Sequence, residues 1–135
     1  SGVRDVALGL SVGTSVPGAW GNLDAAYVIR GGVFRDRLEG ALGGGTGIAS
    51  RVALRGEARG GVAVGPWQAG AVSMRFDPSA VDPDNLDLAG TVSVAVGRST
   101  ALEAEVRSTV WGRNTLAGTR WSLAVATSPA WRWKR

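Results

Sequence analysis

Glu103 and Glu105 lie two positions apart in "ALEAEVRST", so on a strand both carboxylates project from one face, as an acid and base pair in a glycosidase would. Arg107 follows at the same spacing. A guanidinium beside two carboxylates predicts an ion-pair network rather than acid–base chemistry, because its planar fork meets carboxylates bidentately. Asp77, Asp82, Asp84 and Asn85 could offer hard oxygen ligands to calcium. Two prolines among them, and no ligand-spaced glycine, predict an ordinary exposed loop instead. Gly43 to Gly45 and "GEARGG" suggest a phosphate-binding loop, yet neither carries the Lys-Ser/Thr pair of such a loop or leads into a helix pattern.

The chain has 135 residues and contains neither histidine nor cysteine. Their absence removes the commonest general base, the commonest metal ligands and every Ser-His or Cys-His nucleophile. No disulfide framework or thiolate zinc site can form. An enzyme would have to work with carboxylates and arginine alone, so no catalytic residue, metal or cofactor is expected. The net charge is +4, and the only lysine is Lys134. Charged residues are 19% of the chain and glycines number 21, so small, uncharged residues cover much of whatever the non-apolar positions face. The arginines alternate with glutamates instead of forming one basic stripe, which argues against nucleic acid as a partner despite the Arg–Trp tail "WRWKR". No apolar run approaches the ~20 residues of a helical membrane span. The opening "SGVRDVALGL" has no initiator Met and no signal-peptide pattern, as in a mature chain after signal cleavage or one trimmed at its start.

The elements that would position these side chains are strands. Period-two alternation recurs nearly from end to end. Val6, Leu8, Leu10 and Val12 share one parity in "DVALGLSV"; Leu23, Ala25, Tyr27 and Ile29 oppose Asn22, Asp24 and Arg30. Phe34, Leu38 and Leu42 alternate with Arg35, Arg37 and Glu39. "SRVALRGEAR" sets Val52, Leu54 and Ala58 against Arg51, Arg55, Glu57 and Arg59. A segment over 62–76 is interrupted at Gly65-Pro66, and Leu86 to Val96, Leu102 to Val110 and Thr119 to Val125 continue the pattern. Turn signals fall at "GTSVPG", Gly31-Gly32, "GGGT", Gly60-Gly61, "DPSAVDPDN", "GRS" and "GRN". The expected architecture is a single all-β domain over 1–135, an antiparallel up-and-down β-barrel of about eight strands. These strands are longer than the ~5–6 residues usual in soluble sheets and reach the ~9–11 needed to cross a bilayer.

Alternation defines two faces but not which one meets water. A soluble sheet would bury Val52, Leu54, Val92, Val94, Leu102 and Val106 and expose Ala7, Gly9, Ala53, Ala95 and Ala124, an unusually small-residue surface. A membrane barrel would turn the apolar parity to lipid and enclose the small residues with a few paired charges. The expected lumen network is Asp24, Arg30, Arg51, Arg55, Glu57, Arg59, Glu103, Glu105 and Arg107. Trp20, Trp67, Trp111, Trp131 and Trp133 fall at strand ends or near the chain's end, where a membrane–water belt of aromatics would lie.

"VALGLSVGT" at Val6 to Thr14 resembles the opening strand, and "RWSLAVAT" at Arg120 to Thr127 the closing strand, of the small eight-stranded outer-membrane barrels of bacteria. That resemblance implies a bacterial outer-membrane location, the lipid bilayer and other envelope proteins as partners, and a structural or accessory role in the cell envelope. "LEGALGGGTGIASRVALRGEARGGVAVG" is similar to the groove-forming repeats of bacterial lipid-transport proteins. This second resemblance implies a soluble barrel or open trough, periplasmic or secreted, that holds a lipid or other apolar ligand.

Overall fold

Wherever apolar and small or polar residues alternate, the chain extends, since only a strand sends successive side chains to opposite sides. The computed structural model describes residues 5–31, 35–65, 83–113 and 115–127. It contains the strands β1 (Val6–Val16), β2 (Ala19–Ile29), β3 (Asp36–Ala49), β4 (Val52–Val64), β5 (Asp84–Ala95), β6 (Thr100–Arg113) and β7 (Thr119–Thr127). They form one 7-stranded sheet in the order β1-β2-β3-β4-β5-β6-β7, every neighbouring pair antiparallel. The all-β, antiparallel, up-and-down expectation therefore holds. Among the described residues the sheet is open between β1 and β7, and seven strands stand where about eight were expected.

The difference lies in the glycines. Gly60 and Gly61, expected to turn the chain, sit inside β4, where they pair with Gly40 and Glu39 and let "SRVALRGEAR" run on to Val64. Gly43 to Gly45 likewise lie inside β3, and the chain reverses instead at Ser50 and Arg51. A side chain at Gly43 would place its Cβ 2.7 Å from Asn22 Oδ1, one at Gly45 2.8 Å from Trp20 Nε1, and one at Gly61 2.5 Å from the Arg37 guanidinium. These glycines give room to larger neighbours on the same face. Gly18 does turn the chain: Pro17 precedes it, its φ is 82°, and this Pro-Gly pair with positive φ at the second position is the signature of a type II turn; Gly65, just past β4, has the same φ.

Pro17–Gly18, Ser50–Arg51 and residues 96–99 make short links at one rim, while the chain between β2 and β3, β4 and β5, and β6 and β7 passes through residues outside the described ones. Of the expected turn signals, Pro17-Gly18 of "GTSVPG" and the "GRS" stretch fall at these links, whereas "GGGT" and Gly60-Gly61 lie inside strands. The "DPSAVDPDN" expectation falls mostly outside the described residues; Asp84 and Asn85 open β5 instead of ending a loop.

There is almost no apolar core. Among the described residues only Ala95 and Ala101 are buried hydrophobics, whereas Leu8, Trp121 and Leu123 are 79%, 77% and 88% exposed. Leu54, Val92 and Val94 in the central strands are exposed too.

Candidate functional site: a charged sheet face

Directly opposed residues in antiparallel strands share a face, so the register sorts the side chains. One row runs Ser15, Trp20, Gly45, Arg55, Thr91, Glu105, Ser122, and the next Gly13, Asn22, Gly43, Glu57, Ala89, Arg107, Arg120. A third carries Ser11, Asp24, Ala41, Arg59, Asp87 and Thr109. The opposite face carries rows such as Val12, Leu23, Leu42, Ala58 and Leu88. From Asn22 to Ile29 in β2, and from Asn85 to Ala95 in β5, the burial follows this division, the polar-face residues being in general the more covered and the apolar-face residues the more open; Trp20, 45% exposed, departs from it.

On the polar face, β4, β5 and β6 bring their charges together. Arg107 lies between two carboxylates, its Nε 3.2 Å from Glu105 Oε1 and its Nη1 3.7 Å from Glu57 Oε1. Arg59 Nε reaches the same Glu57 oxygen at 3.3 Å, and Arg55 Nη2 lies 3.8 Å from Glu105 Oε2. Glu57 Oε1 is itself buried and is held by these charges without a hydrogen bond of good geometry. The Glu57, Glu105 and Arg107 side chains keep only about a fifth of their surface exposed, at 19%, 19% and 22%. Two carboxylates and three guanidiniums from β4 and β6 thus pair across β5, with one positive charge in excess.

Of the other charges expected in the network, Asp24 lies on this face and accepts a 2.6 Å hydrogen bond from Asn22 Nδ2. Glu103 accepts from Ser93 Oγ at 3.1 Å, one row nearer the short rim. Arg30 sits beyond the end of β2, where its Nε lies 3.8 Å from Asp5 Oδ2. Arg51 occupies the turn between β3 and β4, exposed, with its carbonyl accepting from Ala95 N. The strand parity that grouped Arg51 with Arg55 ends one residue too early to bring it onto the face, because the β3–β4 turn takes it.

Sequence reasoning did not include Asp87, although it falls on the charged parity. It accepts from Thr109 Oγ1 at 2.6 Å and Asn85 Nδ2 at 2.9 Å. Arg37 was also left out; it binds Glu39 at 3.0 Å, Asn85 Oδ1 at 2.5 Å and the Pro83 carbonyl, tying β3 to the start of β5. Asp84 is buried, accepts from Ala63 N at 2.8 Å and faces Arg113 Nε at 3.6 Å. The signal for Asp87 and Arg37 was present as parity, but cross-strand register was needed to use it; Asp84 shares the parity of Leu86 and Leu88, so alternation could not have marked it.

The tryptophans divide. Trp111 and Trp121 lie on the apolar face, whereas Trp20 lies on the polar face over Gly45. Trp20 is near the short rim but on the side away from the apolar belt expected of it. Trp67, Trp131 and Trp133 lie outside the described residues. Among the described residues no cluster of three or more acidic side chains is placed to hold a metal ion, and no helix is long and apolar enough to cross a membrane. Compared with protein-family models, with curated proteins and with solved structures, the chain matches none.

Proposed function

We propose that this chain is a non-enzymatic β-barrel of the bacterial outer membrane, a structural or accessory part of the cell envelope, with its apolar face against hydrocarbon and its charged face turned to the barrel interior. One observation carries the reading: among the described residues the sheet buries only two alanines as hydrophobic core, while most of its leucines and valines, with Trp111 and Trp121, stand open. In water each such side chain left exposed forgoes about 1.5–3 kcal/mol, and an apolar surface this extended marks a membrane or protein contact. In a bilayer the same exposure costs nothing.

Three further features support it. The strands are 9 to 14 residues long, enough to cross a hydrocarbon core when tilted. The fully described links, Pro17–Gly18, Ser50–Arg51 and residues 96–99, are all short and all at one rim, as are the periplasmic turns of outer-membrane barrels. The charged face pairs its buried carboxylates, Glu57 and Glu105, with guanidiniums, as a narrow eight-stranded lumen requires because an unpaired ion there costs several kcal/mol. A lipid-carrying trough would instead hide the apolar parity and leave the charges in water, opposite to the burial in β2 and β5.

Fractionation tests the reading. The native protein should leave the envelope only with detergent and should migrate faster on a gel before boiling than after. A monodisperse species in plain buffer would overturn it, and lipid co-purifying with that species would favour the trough.

A further inference from the structure

The polar face holds a pocket at its short rim. About 480 Å³ in volume, it lies between Trp20 on β2 and a group formed by Arg55, Ser93 and Glu103 on β4, β5 and β6, with Gly47 and Ala53 as its floor. One aromatic wall, small residues beneath and a few converging polar groups, in a space of this size, are the features of a small-molecule site. A Cβ at Gly47 would stand in open space, with nothing within 4 Å. The wall is pinned in place, since the Gly18 carbonyl in the β1–β2 turn accepts from Gly47 N at 2.9 Å and from Thr46 Oγ1 at 3.0 Å, tying the turn beside Trp20 to β3.

Two opposite charges border this pocket without meeting. Arg55 has the longest contact of the three guanidiniums in the network: it lies 3.8 Å from Glu105, makes no hydrogen bond among the described residues, and keeps 45% of its side chain exposed. Glu103, one row nearer the rim, accepts from Ser93 Oγ and has no cation within 4 Å among the described residues. An arginine and a glutamate on β4 and β6 are long enough to bridge β5, as Arg107 and Glu57 do at 3.7 Å. Arg55 and Glu103 leave the pocket between them instead.

Their order across the sheet indicates the ligand. The register runs from the Trp20 indole, lying over Gly45 and 45% exposed, to the Arg55 guanidinium and then to the Glu103 carboxylate. A simple anion would satisfy Arg55 and leave Glu103 without a counter-charge, and a simple cation would do the reverse. A molecule carrying both signs completes both, with no net charge added to a half-enclosed site. An α-amino acid offers the three matching groups on one carbon: an apolar side chain for the indole, a carboxylate for the planar fork of an arginine, and an ammonium for a carboxylate.

We propose that this pocket binds a small zwitterion with an apolar side group, a free amino acid or a short peptide, its carboxylate on Arg55, its ammonium on Glu103 and its side chain against Trp20. The site goes beyond the barrel reading and stands without it, because β1 to β6 build the pocket whether or not the sheet lies in a membrane.

Calorimetric titration of the 135-residue chain in octyl-glucoside micelles tests it. Phenylalanine should bind saturably, while phenylalaninamide, without the carboxylate, and N-acetylphenylalanine, without the ammonium, should each bind at least about tenfold more weakly. These analogues probe the unaltered chain, so the outcome does not hang on any variant folding. Arg55→Gln should weaken phenylalanine and leave phenylalaninamide unchanged; Glu103→Gln should weaken phenylalanine and leave N-acetylphenylalanine unchanged. Trp20→Ala should weaken phenylalanine about fivefold and glycine not at all. Phenylalanyl-phenylalanine, run beside the free amino acid, separates the two sources by which binds more tightly. No saturable binding of either at about 10 mM, equal affinity for phenylalanine and its two blocked forms, or tighter binding of phosphocholine, a zwitterion without an apolar side group, would each overturn the inference. A protein that binds phenylalanine but stays in plain buffer loses the barrel reading only; one that inserts into vesicles and binds none of these probes loses the site only.

Discussion

Replacing Arg107 with alanine should be the most damaging single change on the charged face. The guanidinium sits 3.2 Å from one carboxylate and 3.7 Å from another. At an effective dielectric constant near 20 each contact has a gross Coulomb energy of about 5 kcal/mol. Most of that is offset by the cost of desolvating the three ions, but removing the cation leaves Glu57 with Arg59 alone and Glu105 with the more distant Arg55 alone, and breaking a fully buried set costs about 3–5 kcal/mol. Since the side chains retain about a fifth of their surface, at 19% and 22%, a net loss of about 2–4 kcal/mol is expected for Arg107→Ala. Urea unfolding of the protein in lipid vesicles, followed by tryptophan fluorescence, measures it. Arg107→Lys should fall between, because one ammonium cannot face both carboxylates with the reach of a planar fork. The double variant Glu105→Gln/Arg107→Met should lose less than the sum of its single changes, by about 1–3 kcal/mol. An Arg107→Ala protein within about 0.5 kcal/mol of wild type, or strict additivity with Glu105, would refute the network as an energetic unit.

Three other outcomes follow from the faces and the turns. Gly61→Ala should lower stability by about 1–3 kcal/mol, since its Cβ would meet the Arg37 guanidinium at 2.5 Å, whereas Gly56→Ala, with nothing within 4 Å, should be neutral or better; paired unfolding midpoints decide between these. Gly18→Val, which forces a β-branched residue to φ 82°, should cost more than about 1 kcal/mol and loosen the β1–β2 hairpin in amide hydrogen exchange, with Gly18→Asn milder. Val92→Arg, on the open apolar face of a central strand, should cost about 2–4 kcal/mol in vesicles, and a change smaller than about 0.5 kcal/mol would mean that this face does not meet lipid.

The strands were legible because alternation is a local property: Leu86 to Val96 and Leu102 to Val110 read as strands in sequence and are strands in the sheet. Their ends were less so, for a physical reason that glycine makes plain. The same residue permits a positive φ at Gly18 and, with ordinary extended backbone, clears space for Asn22 over Gly43 and for Arg37 over Gly61. Sequence shows the missing side chain but not what occupies the space it vacates. That neighbour is set by cross-strand register, and register is fixed only after the turns are. So a Gly-Gly pair was read as a reversal where the chain runs straight, and the true reversal at Ser50–Arg51 carries no glycine at all.

The charged face was half legible for the complementary reason. Period two fixes which residues stand together but is blind to sign, so Arg55, Glu57, Glu105 and Arg107 could be grouped without deciding whether they face bulk water. Two tryptophans on opposite faces now allow that sign to be measured. Trp121 projects from the apolar side and is 77% exposed, while Trp20 lies over Gly45 on the charged side. In vesicles whose acyl chains carry bromine, a heavy-atom quencher acting only at close range, a variant retaining Trp121 alone should lose most of its fluorescence, and one retaining Trp20 alone should keep it. Soluble acrylamide should give the opposite order. If the apolar parity were instead folded inward over a soluble trough, bromolipid would quench neither residue. Quenching of Trp20 in preference to Trp121 would invert the sheet, placing the Arg107 network against hydrocarbon at a cost of several kcal/mol per ion that these ion pairs could not offset.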